Sequence, residues 1–250
     1  MTNNNMYFIA NWKMYGNLSS ITSLKSIKIF SKTRKLKKTK IIYCPPYTLL
    51  RPFVDTLKSS TIKVGAQNCH HQTDFGSFTG SINAKMIKSL GCSYVILGHS
   101  ENRREGENDK IINLKIKSAI KENLKVIFCV GETLKEKRKN KTKTVLKKQI
   151  LNGLKNISKF NNIIIAYEPV WSIGSGKIPV SKDLDNIIMF IKSLLRKRSR
   201  LKNIKILYGG SVNSKNIKEL SKIRSINGFL IGGASQKTKN FIDIIKKTIN

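Results

Sequence analysis

Short apolar runs alternate with amphipathic segments along the whole of this 250-residue chain, and that rhythm limits the folds open to it. The runs are Tyr7-Phe8-Ile9-Ala10, Ile41-Ile42-Tyr43-Cys44, Ile62-Lys63-Val64-Gly65-Ala66, Tyr94-Val95-Ile96-Leu97, Val126-Ile127-Phe128-Cys129-Val130, Ile163-Ile164-Ile165-Ala166, residues 204–208 and Phe229-Leu230-Ile231. Each is too short for a helix and rich in β-branched or aromatic residues, so each reads as a buried strand. Between them, apolar residues recur three and four apart. Residues 18–30, 48–57 and 83–90 are expected to be helical. So are the segments carrying Ile112, Ile116, Ala119 and Ile120; Leu146, Ile150, Leu154 and Ile157; Leu184, Ile187, Ile188, Ile191, Leu194 and Leu195; Ile217, Leu220 and Ile223; and Phe241, Ile244 and Ile245. Thr133 and Glu136 have capping-box spacing, and Ser181 is placed to cap the helix after it. Alternation of strand and helix predicts a parallel sheet. Eight units in about 250 residues predict an α/β fold of one domain, 1–250: a closed (β/α)8 barrel of eight parallel strands surrounded by helices, in preference to a doubly wound sheet.

Charge is the unusual property. Lys and Arg number 48 against 14 Asp and Glu, a net +34. That excess raises a nucleic-acid-binding reading, a cationic binder on a barrel scaffold. However, the lysines are spread over nearly every polar segment, alongside abundant Asn and Ile, which is what an AT-biased genome writes at tolerant positions. Cys44, Cys69, Cys92 and Cys129 are widely spaced, with no C-x-x-C, which argues against a zinc site or a disulfide framework and fits a reducing compartment. The polar start Met1-Thr2-Asn3-Asn4-Asn5 lacks the layout of a secretory signal, and no apolar run approaches the ~20 residues of a membrane span. The expectation is a cytoplasmic protein.

In a (β/α)8 barrel, chemistry sits on the loops that follow the strands. Those positions carry Asn11 and Lys13 after the first strand, Gly98-His99-Ser100-Glu101 after the fourth, and Glu168 after the sixth. Gly209-Gly210-Ser211 follows the seventh and Gly232-Gly233-Ala234-Ser235 the eighth. A lone carboxylate at a strand end, before a loop that opens on Pro169 and closes on Gly174-Ser175-Gly176, has the form of a base beside a lid. Two Gly-Gly corners on neighbouring strands form an anion cradle, because glycine lets backbone N–H groups approach a phosphate. His70 and His71 stand near Cys69, but adjacent side chains are expected to diverge, so no metal is assigned there.

Taken together, these residues resemble the triosephosphate isomerase family over essentially the whole chain. The resemblance rests on Asn11-Trp12-Lys13-Met14, Gly65-Ala66-Gln67-Asn68, Phe78-Thr79-Gly80, Gly98-His99-Ser100-Glu101 and Cys129-Val130-Gly131-Glu132-Thr133-Leu134. It continues in Ala166-Tyr167-Glu168-Pro169-Val170-Trp171, Ile173-Gly174-Ser175-Gly176, Tyr208-Gly209-Gly210-Ser211-Val212 and Gly232-Gly233-Ala234-Ser235. It implies an aldose–ketose isomerase of glycolysis and gluconeogenesis, without cofactor or metal. It implies Glu168 as the base, His99 as the group that polarises the carbonyl, Lys13 as the cation and Asn11 as an orienting group. Backbone N–H groups of Gly174, Ser211, Gly232 and Gly233 would bind phosphate. Glu101 would pair with Lys13, Tyr167 and Glu132 would steady Trp171, and Tyr208 with Ser211 would latch the lid. The family is usually a homodimer, joined by a loop that is here residues 68–81, with Thr79 near the partner's mouth.

Four residues depart from the family's pattern: Ser81 and Asn102 replace a usual Glu and Arg, Asn227 a usual Asp, and Gln236 a usual Leu. The segment after Asn102 is also one residue short. Another sugar-phosphate enzyme on the same barrel, and a relative without activity, are the remaining alternatives.

Overall fold

A computed structural model describes residues 6–197 and 204–249; the Met1-Thr2-Asn3-Asn4-Asn5 segment lies outside them. Eight parallel strands close into a barrel in sequence order. They are β1 (Met6–Asn11), β2 (Thr39–Cys44), β3 (Lys63–Ala66), β4 (Tyr94–Leu97), β5 (Lys125–Val130), β6 (Ile163–Tyr167), β7 (Lys205–Tyr208) and β8 (Gly228–Ile231). Closure is made by β1 against β8, where Phe8 pairs with Phe229 and Ala10 with Ile231.

The period-two alternation of a strand divides the apolar residues into two cores. Ile9, Ile42, Ile96, Ile127, Ile164, Leu207 and Leu230 fill the barrel interior. Phe8, Tyr43, Val95, Phe128, Ile165, Ile206 and Phe229 face outward and pack beneath the helices. Helical residues on the predicted stripes complete that outer layer, among them Ile112, Ile116, Leu146, Ile150, Leu184, Ile188, Ile191, Phe241 and Ile244. Continuing the inward set by two residues past Ile9 gives Asn11, and past Ala166 gives Glu168. Strand parity alone therefore aims these two side chains into the mouth.

Several helices differ in detail from their expected form. Residues 18–30 are a 3-10 segment, Leu18–Ser23, followed by an α-helix, Leu24–Phe30. Thr22 and Ser23 donate their hydroxyls back to the carbonyls of Ser19 and Ser20, and this local bonding competes with α-helical pairing. Residues 47–49 are likewise 3-10, and the α-helix is Leu50–Leu57, with no side-chain cap. Ser181 does not cap: Val180 holds the cap position, Ser181 is the first helical residue, and its hydroxyl donates to Glu219. The helix carrying Leu146 and Ile150 ends at Gly153, so Leu154 and Ile157 pack from beyond it. The Thr133–Glu136 capping box is present as expected.

The polar replacement at Asn227 has a structural role. Its side-chain oxygen accepts the Ile206 N–H at 3.0 Å while its backbone carbonyl accepts the Tyr7 N–H at 2.9 Å. One buried asparagine thus joins the lower ends of β7, β8 and β1. Nothing in the structure explains Gln236. The rings of His70 and His71 do not diverge, as expected from adjacency, but lie 4.3 Å apart, where the His70 N–H bonds the Ile82 carbonyl and the loop bends back. Among the described residues no three His, Cys, Asp or Glu side chains group as metal ligands, and no helix is long and apolar enough to cross a membrane.

Candidate active site

At the C-terminal ends of the strands, a cavity of about 230 Å³ is lined by Asn11, Lys13, His99, Glu168, Gly174, Ser211, Gly232 and Gly233, with Leu230 beneath. Residues from five strand ends and the lid meet in it.

Lys13 leaves β1 in a left-handed backbone conformation, φ 54°. Such a conformation is costly for a residue with a side chain, so neighbours must hold it. Asn11 Oδ1 accepts the Lys13 N–H at 3.1 Å, and Gln67 Nε2 donates to the carbonyls of Lys13 and Cys44, both at 2.8 Å. The Lys13 ammonium reaches Glu101 Oε1 at 2.5 Å. Burial raises the Glu101 carboxyl, but the Lys13 hydrogen bond and charge, with Arg104, outweigh it, and the net shift is downward. Glu101 therefore stays ionised beside the Lys13 ammonium.

His99 sits where β4 ends. Gly98, φ 72°, turns the chain, and Ser100–Arg104 form a five-residue helix whose cap is His99 itself. Nδ1 accepts the Glu101 N–H at 3.2 Å. A backbone N–H can only donate, so Nδ1 carries no proton and the neutral ring bears it on Nε2. Nε2 stands 3.3 Å from Glu168 Oε1. Arg103 braces this turn from below, donating to the carbonyls of Gly98 and Cys129 and pairing with Asp109.

Glu168 is only 2 % exposed, and its Oε2 has no hydrogen-bond partner. Burial drives its carboxyl upward; His99, the Cys129 thiol, the Ser100 N–H and Lys13 oppose this without cancelling it. An under-solvated carboxylate beside a cavity is the form of a strong base. Room for it comes from Gly209, where an added Cβ would lie 2.7 Å from Glu168 Cγ. Gly209→Ala is expected to displace the carboxylate and lower kcat on the order of 10²-fold, with a smaller change in melting temperature; steady-state kinetics and calorimetry check this.

The lid, residues 169–177, begins with a 3-10 turn, Val170–Ser172. Trp171 Nε1 donates to Glu132 Oε1 at 2.8 Å, Tyr167 donates its hydroxyl to the same carboxylate, and the Lys137 ammonium lies 3.5 Å above the indole. Burial raises the Glu132 carboxyl against the lowering effect of these donors. Tyr208 and Ser211 both reach the lid, and both do so at Ser172. On the far wall Ser235 bonds the carbonyls of Ile231 and Gly232, and Trp12 Nε1 bonds the Ser235 carbonyl, which fixes the Gly232-Gly233 corner. Thr79 is exposed on its loop, away from this cavity.

The structure brings Asn11, Lys13, His99, Glu168, Gly174, Ser211, Gly232 and Gly233 to one cavity, with Glu101 on Lys13 and Tyr208 on Ser172; Glu132, Tyr167 and Trp171 meet outside it and line a neighbouring pocket. Sequence reading gave no role to Gln67, Arg103 or Ser172. Gln67 had a signal, since it continues the inward parity of Gly65 at the end of β3. Arg103 and Ser172 had none, because their partners are backbone groups or distant in sequence.

Fold and cavity together have the form of a barrel enzyme, with a buried carboxylate, a neutral imidazole and a cation around one pocket. The chain belongs to the triosephosphate isomerase family, whose family model matches residues 6–248. Triosephosphate isomerase of Carboxydothermus hydrogenoformans is 42% identical over 249 residues, covering 97% of this chain and 98% of that one. That of Alkaliphilus oremlandii is 39% identical over 241 residues, covering 94% and 96%. The crystal structure of triosephosphate isomerase from Bartonella henselae superposes with a TM-score of 0.89 at 37% identity, covering 98% of this chain and all of that one. These likenesses favour the isomerase reading over the nucleic-acid-binding one.

Proposed function

We propose that the chain, as a single barrel domain, interconverts dihydroxyacetone phosphate and glyceraldehyde 3-phosphate through an enediol intermediate. The observation that carries this reading is the approach of neutral His99 Nε2 to the unsolvated Glu168 carboxylate, with Lys13 on the same wall. Groups 3.3 Å apart leave no space for a carbon between them, so an entering substrate separates them and takes each as a partner. Glu168 removes the proton from the carbon next to the carbonyl. The His99 N–H polarises the carbonyl oxygen, and the imidazole then moves protons between the two enediol oxygens. Lys13 offsets the charge that develops on oxygen, and Asn11 orients the substrate. The phosphate is held by backbone N–H groups of Gly174, Gly232 and Gly233, and by that of Ser211 once it leaves Ser172 Oγ. Lid closure excludes water and prevents loss of phosphate from the enediol.

No cofactor or metal is needed for these steps. A coupled isomerase assay tests the reading: turnover of both triose phosphates by the wild type is expected, and its absence would defeat it.

We further propose a cytoplasmic homodimer joined through residues 68–81. Phe75 on that loop is 70% exposed and Met14, beside the mouth, 94%; Tyr15 and Phe78 are exposed as well. Large apolar side chains exposed at the two places the reading assigns to the interface support it. Ser81 and Asn102 then replace an ion pair across the interface with a neutral contact. Two chains of +34 repel, and salt screens the repulsion. Sedimentation is expected to show a dimer at 0.15 M salt that loosens as salt is lowered; a fully active monomer at both would overturn the dimer.

A further inference from the structure

A second cavity, of about 370 Å³, lies between Trp171 and two helices, Thr142–Gly153 and Ser181–Arg196. It is larger than the one at the mouth and falls within the roughly 300–1,000 Å³ usual for small-molecule sites. Tyr167, Trp171, Pro179, Leu184 and Ile187 give it aromatic and apolar walls. Lys137 and Lys143 line it beside the first helix, and Asp183 and Asn186 line it from the second. Neither lysine makes a salt bridge among the described residues. Each lies over a ring instead, Lys137 at 3.5 Å from Trp171 and Lys143 at 5.7 Å from Phe190. Glu132 does not neutralise them: it is 1% exposed, its carboxylate takes the Trp171 and Tyr167 donors, and Lys137 acts on it only as a nearby charge. Six of the nine residues 135–143 are basic, and the acid among them, Glu136, is spent on its capping box. A ring-lined pocket with two ammonium groups on one helix side and acceptors on the other is complementary to a flat organic anion that carries an N–H.

We propose that this cavity is a second ligand site, which takes a small aromatic carboxylate bearing an N–H donor and restrains the lid through Trp171. The carboxylate meets Lys137 and Lys143, the flat body lies along Trp171, Leu184 and Ile187, and the donor turns to Asp183. None of these side chains lines the cavity that holds Glu168. Trp171 is the middle residue of the turn Val170–Ser172, so an occupant packed on its ring limits the movement of the segment that follows. The restraint rests on the reading of residues 169–177 as a lid; the site itself does not.

Hippurate, which joins a benzoyl ring, an amide N–H and a carboxylate, is the probe. The chain has two tryptophans, and Trp12 is 2% exposed and bonded to Ser235, so saturable quenching on titration reports Trp171. Lys143→Ala is expected to weaken binding about tenfold, the scale of a lost hydrogen bond to a charged group. Lys147→Ala removes a neighbouring lysine that does not line the cavity and is expected to bind as the wild type does. N-methylbenzamide, with the ring and amide but no charge, is expected to bind at least about tenfold more weakly. Saturating hippurate is expected to slow backbone hydrogen exchange of residues 169–177 several-fold. Absence of saturable quenching, equal affinity in Lys143→Ala and wild type, an equal loss in Lys147→Ala, or equal binding of N-methylbenzamide would overturn the site. Unchanged exchange at saturation would overturn the restraint. Neither readout needs turnover, so a wild type that isomerises nothing would defeat the proposed reaction and leave this proposal to be decided by titration and exchange.

Discussion

Glu168→Gln is expected to lower kcat by about 10³-fold while making the folded protein more stable at neutral pH. The activity loss follows from removing the base with its shape retained. The gain in stability follows from the burial of Glu168. Its carboxyl is pushed above the ordinary range in the folded state, chiefly by desolvation. Between the ordinary value and the raised one, the folded protein binds more protons than the unfolded chain. Stability therefore falls as pH rises through that window, and the cost is fully present above it. Glutamine cannot ionise, so the variant escapes the cost. Thermal melts at pH 5 and pH 8 check this: the variant should gain on the wild type at the higher pH. A variant less stable at pH 8 by the same margin as at pH 5 would show that the buried charge costs nothing. The same shift places the acid limb of kcat/KM above the usual carboxylate range.

Lys13→Ala should be the next most damaging change, lowering kcat/KM by about 10² to 10³-fold. Part of that loss is not the missing cation. Glu101 is bonded to the Lys13 ammonium at 2.5 Å and is kept ionised by it together with Arg104. Deleting Lys13 leaves that carboxylate unmatched beside a site meant for an anion. The double variant Lys13→Ala with Glu101→Gln is therefore expected to bind inorganic phosphate more tightly than Lys13→Ala alone. Equal phosphate affinity in the two would show that Glu101 exerts no repulsion once its partner is gone.

The barrel was legible because its signals are local. A four- or five-residue apolar run can be only so many things, and eight of them in alternation with amphipathic segments leave few architectures. Position after a strand then carried the reading from fold to site, and the structure adds that Asn11 and Glu168 continue the inward series begun by Ile9 and Ala166. What was not legible depended on contacts between side chains and backbone far apart in sequence. Gln67 supports the strained Lys13 across 54 positions, Arg103 joins two strand ends, and Ser172 gathers Lys177, Tyr208 and Ser211. The break within residues 18–30 was hidden for the opposite reason. Its serines and threonine bond their own neighbours, a choice the apolar stripe does not register.

The carboxylates at the mouth have a consequence for how this sequence can drift. The chain carries 48 basic residues against 14 acidic ones. Glu101 holds Lys13, Glu132 holds Trp171 and Tyr167, Glu168 faces His99, and Asp109 and Glu107 anchor Arg103 and Lys115. Each of these acids has a partner whose position fails without it, whereas a solvated glutamate on a helix has none. A mutational bias toward lysine would thus act as a sieve, removing negative charge from the shell and stopping at carboxylates with a task. In so basic a chain, five of the 14 acids stand at or beneath the mouth, each on a partner it holds in place.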